Sequence, residues 1–316
     1  MRGLQAAVLV GRSGPDSVVA SEPPPPMPLL SLRCRSLRAM AAALLLGSLS
    51  LGCARAQPPS AAALLPEVPG LPRQPDGRHY PRLPADPAAL ARQLMAVEQA
   101  VRDPATAEAE LPALGHQQQV IYRVLAARPA QANQVLPQLS PRWRSVARRA
   151  IAARREFLAM HRGAPAATVP AWRIVAPAPR QALLASYQRA AAATGIPWEV
   201  LAAVNLVETG LGRIDGVSVA GAQGPMQFLP STWAEAGIGR GNIRHYDDAI
   251  QAAARYLVRR GGPGDLRRAL WGYNNSDHYG RAVLLYAELI REDPAVFRGF
   301  YHWEIHVPTV AGDLWL

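Results

Sequence analysis

The run Val200-Leu-Ala-Ala-Val-Asn-Leu-Val-Glu-Thr-Gly-Leu-Gly212 is apolar around nearly the whole circumference of a helix. A helix of that kind must be enclosed by other elements, so a helical fold built around this segment is expected. Glu208 is the only ionisable residue between Glu199 and Arg213. It lies on the stripe Leu201, Val204, Glu208, Leu211, at helical spacing. A carboxylate taken out of water without a partner either stays protonated at neutral pH or sits where a cleft opens onto it. A neutral carboxylic acid is what a general acid requires. The competing reading is a buried ion pair with an arginine from another helix.

The 316 residues leave room for one large or two small domains. Residues 1–56 read as an export signal. Arg33, Arg35 and Arg38 precede the apolar run Ala39–Leu51, and small residues follow at Gly52-Cys53-Ala54-Arg55-Ala56. That run is too short to span a bilayer. Cleavage after Ala56 gives a soluble product. Leu51-Gly52-Cys53 is similar to a lipobox, with Ser50 where Leu is usual, so a lipid on Cys53 is the other option and the only route to membrane attachment. Met27 and Met40 are alternative starts for a signal of ordinary length. Both cysteines, Cys34 and Cys53, fall in this segment, which excludes thiol chemistry from an exported soluble product. The expected location is the periplasm or cell wall.

The formal charge is +11, and beyond residue 56 there are 28 arginines against 21 acids, with no lysine anywhere. Heavy use of Ala, Pro and Arg reads either as coding bias or as attraction to an anionic polymer. Export argues against nucleic acid and for a negatively charged cell envelope. Oligomeric state is not legible.

Residues 57–85 form a Pro-rich linker. Asp86-Pro87 opens a helical accessory region, 86–162, with helices expected to about 101, over 107–127 and over 141–162. No chemistry is apparent there, and Arg148, Arg149, Arg154 and Arg155 read as a solvated face. A second Pro-rich linker spans 163–179. Helices are then expected over 180–194, 197–209, 230–236, 247–260, 263–275 and 276–291, within a domain of residues 180–292. Ser276 and Asp277 read as a helix cap. The tail, 293–316, alternates like strand from Phe297. The fold class expected is mainly α.

Two further elements follow Glu208. Ser218-Val-Ala-Gly-Ala-Gln-Gly-Pro-Met-Gln227 has small residues that let backbone approach a ligand, then an apolar wall with one amide. Trp271-Gly-Tyr273-Asn274-Asn275 offers a hydroxyl and carboxamides, with Tyr279 just after. His302-Trp-Glu304-Ile-His306 would put two His and one Glu on a strand face, but it is not the helical zincin spacing and reads as packing; no metal and no cofactor are expected.

In order and separation these elements resemble the lytic transglycosylases of the bacterial cell wall, over roughly residues 180–290. Those enzymes carry a Glu-Ser pair at a helix end, then Ser-x-x-Gly-Ala-x-Gly-x-Met-Gln, then Ala-Tyr-Asn. Here the pair is Glu208-Thr209, one extra residue precedes Ser218, and Gly272 replaces Ala. The resemblance implies a lysozyme-like helical domain that cleaves peptidoglycan glycan strands. It implies that Glu208 is acid and then base, and that Tyr273 positions it. Thr209, Ser218, Met226, Gln227 and Asn274 would contact substrate. One carboxylate suffices for that chemistry, whereas most glycan hydrolases need two. A muramidase that admits water, with Asp215 or another loop acid, remains open, as does a glycan-binding protein without activity.

Overall fold

A computed structural model describes residues 79–160, 171–310 and 312–316. The export segment, residues 57–78 of the first linker and residues 163–170 of the second lie outside the described residues.

Eleven α-helices and two short antiparallel strand pairs are found among the described residues, which share one hydrophobic core. At its centre is α6 (Trp198–Thr209), whose residues from Val200 to Thr209 are all buried. It starts after Pro197 and stops at Gly210, which takes the left-handed conformation (φ 60°) that residues with a β-carbon resist. Helices α5 (Arg180–Thr194), α8 (Tyr246–Arg259) and α10 (Asp277–Glu292) enclose it. The short α7 (Pro230–Trp233) and α9 (Leu266–Asn274) complete this half.

The accessory region supplies α1 (Pro87–Ala100), α2 (Leu111–Ala127), α3 (Pro129–Val135) and α4 (Pro141–Met160). It packs directly on the rest: α4 lies along α10, which also packs on α6. Two boundaries differ from the sequence reading. Helix α2 begins at Leu111 because Pro112 suits only a first turn. Pro129 restarts the chain as α3, which periodicity did not reveal.

Buried charge ties α1 in place. Glu98 is fully buried on α1, and its carboxylate accepts from Arg102, from Gln118 Nε2 (3.0 Å) and from the Tyr122 hydroxyl. Arg102 also donates from Nε to Asp293 Oδ2 at 2.8 Å, beyond the end of α10.

The tail begins as helix rather than strand. α11 (Val296–Tyr301) buries Phe297 and Phe300, an i,i+3 pair that a helix sends to one side and a strand would split. Strands β3 (His306–Thr309) and β4 (Gly312–Trp315) then form an antiparallel hairpin, with His306 opposite Trp315. This tail is bound to α2. The Gln119 side chain donates to the Glu304 carbonyl and accepts from the Glu304 N–H, both at 2.8 Å, as a neighbouring strand would. Trp303 Nε1 donates to Gln118 Oε1 (3.0 Å). Within the second linker, β1 (Arg173–Ile174) pairs with β2 (Ile214–Asp215).

Removing Glu98 leaves the buried Tyr122 hydroxyl and Gln118 amide without their acceptor and Arg102 with Asp293 alone, at about 3–5 kcal/mol. Glu98→Ala is therefore expected to lower the melting temperature by roughly 5–15 °C, as followed by circular dichroism. A surface control such as Glu288→Ala is expected to change it by a degree or less.

Candidate active site

Glu208 is in the last turn of α6 and is 1 % exposed. Its Oε1 accepts from the Tyr279 hydroxyl at 2.7 Å, and its Oε2 has no partner among the described residues. No arginine pairs with it there, so the buried ion pair considered from sequence is not what forms. Burial pushes the carboxyl up to about 8, and the Tyr279 bond only partly offsets this. Tyr279 is itself buried and held far above the usual tyrosine range by burial and by Glu208, so it remains the donor. With Tyr279 on Oε1, the carboxyl proton at neutral pH resides on Oε2.

The corner between α9 and α10 positions Tyr279. Asn275 ends α9 in the left-handed conformation (φ 53°), and Ser276 caps α10, its Oγ accepting from Tyr279 N. The rings of Tyr273 and Tyr279 then lie parallel, 5° apart in plane. Tyr273 was expected to position Glu208. It does not bond the acid: its hydroxyl donates to the Met226 carbonyl at 2.8 Å. Tyr273, in the last turn of α9, thus faces the loop, and Tyr279, in the first turn of α10 beyond the Asn275-Ser276 corner, faces α6.

The loop after α6 is clamped to it. Asn205 Nδ2 and Thr209 Oγ1 both donate to the Pro225 carbonyl, at 2.8 and 2.7 Å, and Tyr187 fixes the Asn205 amide. Thr209 Oγ1 also accepts from Gly212 N (2.9 Å). Its hydroxyl bonds backbone on both sides and its side chain is buried, which makes it an anchor for the loop. Gly224 is required by close approach: a β-carbon there would meet the Ile243 carbonyl oxygen at 2.0 Å. Ser218 Oγ accepts from Ala222 N, and Gln227 Nε2 donates to the Gly224 carbonyl. Met226 is fully buried, and Asn274 is buried with its Nδ2 unpartnered among the described residues.

Glu208 lines a cavity of about 90 Å³, room for more than a single water. Its lining includes none of Thr209, Ser218, Met226, Gln227, Tyr273 or Asn274. The wall comes from the accessory helices (Gln119, Tyr122, Arg123, Arg154, Phe157), from Tyr286, and from the tail, Trp303 to His306. No motif in 86–162 signalled this, and only side chains brought together by α4 packing on α10 could reveal it. Arg154, read as part of a solvated face, is in that wall. A second carboxylate, Glu304, is also there, within 3.7 Å of Arg213. Asp215, the loop acid named from sequence as one option for a second carboxylate, pairs with Arg173 and Arg244, which hold it below the usual range. His302 and His306 do not share a strand face. His302 follows α11, while His306 bonds Asp313 through Nδ1 (2.7 Å) and lies 3.1 Å from His116 through Nε2. Burial holds His306 neutral, at about 4.

The family model for the transglycosylase SLT domain matches residues 185–283. Those residues are a transglycosylase SLT domain. Neither the curated proteins nor the solved structures give a match. The SLT stretch runs from α5 into α10 and holds Glu208, the clamped loop, Tyr273 and Tyr279. The accessory helices and the tail that wall the Glu208 cavity lie outside it. The fold of the SLT domain is the lysozyme-like helical one, and its substrate class is peptidoglycan glycan.

A carboxyl raised to about 8 in the folded protein binds its proton more tightly than in the unfolded chain. Its contribution is complete below the ordinary carboxyl value and is lost as pH rises through about 8. Glu208→Gln is therefore expected to melt several degrees above wild type at pH 8.5, with the gap closing towards pH 5, by calorimetry across pH.

Proposed function

We propose that the protein is a peptidoglycan lytic transglycosylase with Glu208 as its single acid and base. What carries this reading is the buried, protonated Glu208 with one oxygen on Tyr279 and the other turned to no protein group. Oε2 gives its proton to the glycosidic oxygen between N-acetylmuramic acid and N-acetylglucosamine as the C1–O bond breaks. The carboxylate left behind is buried and therefore basic. It takes the proton of the muramyl C6 hydroxyl while O6 bonds to C1, closing a 1,6-anhydro ring. The proton returns to Glu208, and no water or protein nucleophile is consumed. The tethered hydroxyl supplies proximity in place of a nucleophile, and an acid raised to about 8, near the working pH, serves both steps. The Tyr279 hydroxyl steadies the carboxylate between them.

The Ser218 hydroxyl proton and Gln227 Oε1 are not used by the bonds that hold the loop, and we assign them to the sugar beside the scissile bond. Met226 and Asn274 back that subsite. Export through residues 1–56 would deliver the enzyme to its substrate outside the cytoplasm, anchored to membrane only if Cys53 is lipidated. The domain boundaries are those expected from sequence, with the accessory helices taken as part of the working enzyme.

One observation favours a second reading. Glu304 shares the cavity with Glu208, and two carboxylates across a cleft are the usual equipment of a hydrolase. The pairing of Glu304 with Arg213 supports a role in fixing the tail instead. Digestion of purified sacculi, analysed by mass spectrometry, separates the two. Wild type and Glu304→Gln are expected to release anhydro-muramyl ends and Glu208→Gln none. Reducing muramyl ends that vanish in Glu304→Gln would make the protein a muramidase. Binding without release by wild type would make it a glycan-binding protein.

A further inference from the structure

The wall of the Glu208 cavity carries more positive charge than its acids balance. Arg123 and Arg154 both line it. Arg123 is paired with Asp313. Arg154 reaches from α4 over the Phe157 ring, 4.9 Å from guanidinium carbon to ring centroid, and its Nε is buried with no hydrogen-bond partner among the described residues. None of the carboxylates of the described residues comes within ion-pairing distance of Arg154. Of the acids facing the cavity, Glu208 is neutral at pH 7 and Glu304 lies on Arg213. Burial and the neighbouring Arg123 push Arg154 down to about 9, so it is still a cation at neutral pH, held there at a cost. An orphaned donor on a charged group in a cavity wall is expensive unless something fills it. The chain has no lysine, so the choice of arginine carries no weight; burial and the missing partner do.

We propose that Arg154, with Arg123 beside it, forms a subsite that binds a carboxylate of the glycan cleaved at Glu208. This rests on the transglycosylase reading for the identity of the ligand. If Glu208 addresses the bond next to a muramyl residue, the acidic groups of that residue lie within reach of the same cavity. Two sources supply the same chemistry: the lactyl carboxylate of a muramyl unit without its peptide, and the carboxylates of an attached peptide stem. A guanidinium fork receives either in a bidentate manner. The accessory helices, outside the SLT domain, would thus select the acidic glycan over neutral polymers of the same backbone.

Binding is measured by calorimetry in full-length protein carrying Glu208→Gln, so that no turnover is needed. Three tetrasaccharides are the probes: chitotetraose, which has no carboxylate; a stem-free GlcNAc–MurNAc tetrasaccharide; and the same with peptide stems. Adding Arg154→Gln is expected to weaken binding of at least one acidic glycan by about tenfold or more, the worth of a charge-assisted bond, with chitotetraose unaltered. Loss confined to the stem-free glycan assigns the lactyl carboxylate, and loss confined to the stemmed one assigns the peptide. Arg154→Lys is expected to give a smaller loss on the same glycan, and carries the test alone if Arg154→Gln does not fold. Unaltered affinity for both acidic glycans, or equal loss on all three probes, would overturn the proposal. Failure of the transglycosylase reading would show separately, as absence of anhydro ends from wild type on sacculi.

Discussion

A single hydrogen bond, from the Tyr279 hydroxyl to Glu208 Oε1, is all that the described residues offer a carboxyl group at the centre of the core. Much of the rest of the structure is arranged around that economy. An additional donor or an arginine would favour the ionised form and give an ordinary carboxylate. Apolar surroundings alone would leave the acid without orientation. One neutral donor does both jobs: it fixes the carboxyl plane and leaves the proton on the other oxygen. The geometry depends on local backbone features far from any substrate. Gly210 ends α6 just after the acid, and Asn275 and Ser276 turn the chain so that Tyr279 faces it.

The SLT domain is not the whole of the site. Helix α10 packs on both α6 and α4, and residues of α4 and α6 line one cavity, so the accessory helices contribute to the same interior as the acid. The tail closes another side by binding to α2 through Gln118 and Gln119, and Ile305 reaches close enough to Gly210 that a β-carbon there would meet it at 2.7 Å. Glu208 is therefore enclosed by three parts of the chain that are distant in sequence. This enclosure strips most of the solvation from the carboxyl and raises it to about 8.

What could be read from the sequence follows from how local each feature is. The apolar run of α6, its stop at Gly210, the Asp86 cap and the Ser276 cap are properties of a few adjacent residues, and they were legible. So was the Ser218–Gln227 loop, because a recurrent residue pattern carries it. The roles of single hydroxyls were not. Thr209 and Tyr273 each bond backbone across the loop, and Tyr279 takes the place at the acid given to Tyr273. Spacing alone cannot tell which of two tyrosines six residues apart faces α6, because the turn at Asn275 decides it. The cavity wall was the least legible part. Gln119, Arg123, Arg154 and Glu304 carry no motif, and their meeting depends on helix packing between segments more than a hundred residues apart. The tail was read as strand from Phe297 onward; burial of Phe297 and Phe300 together, three residues apart, decides for helix at its start.

The central claim is that Glu208 holds a proton at neutral pH. The direct test is carbon-13 NMR titration of the glutamate side-chain carboxyls, with Glu208→Gln assigning the resonance. The account predicts a carboxyl that titrates near 8 and is absent from the variant. A Glu208 resonance that titrates near the ordinary value of 4.5 would contradict it.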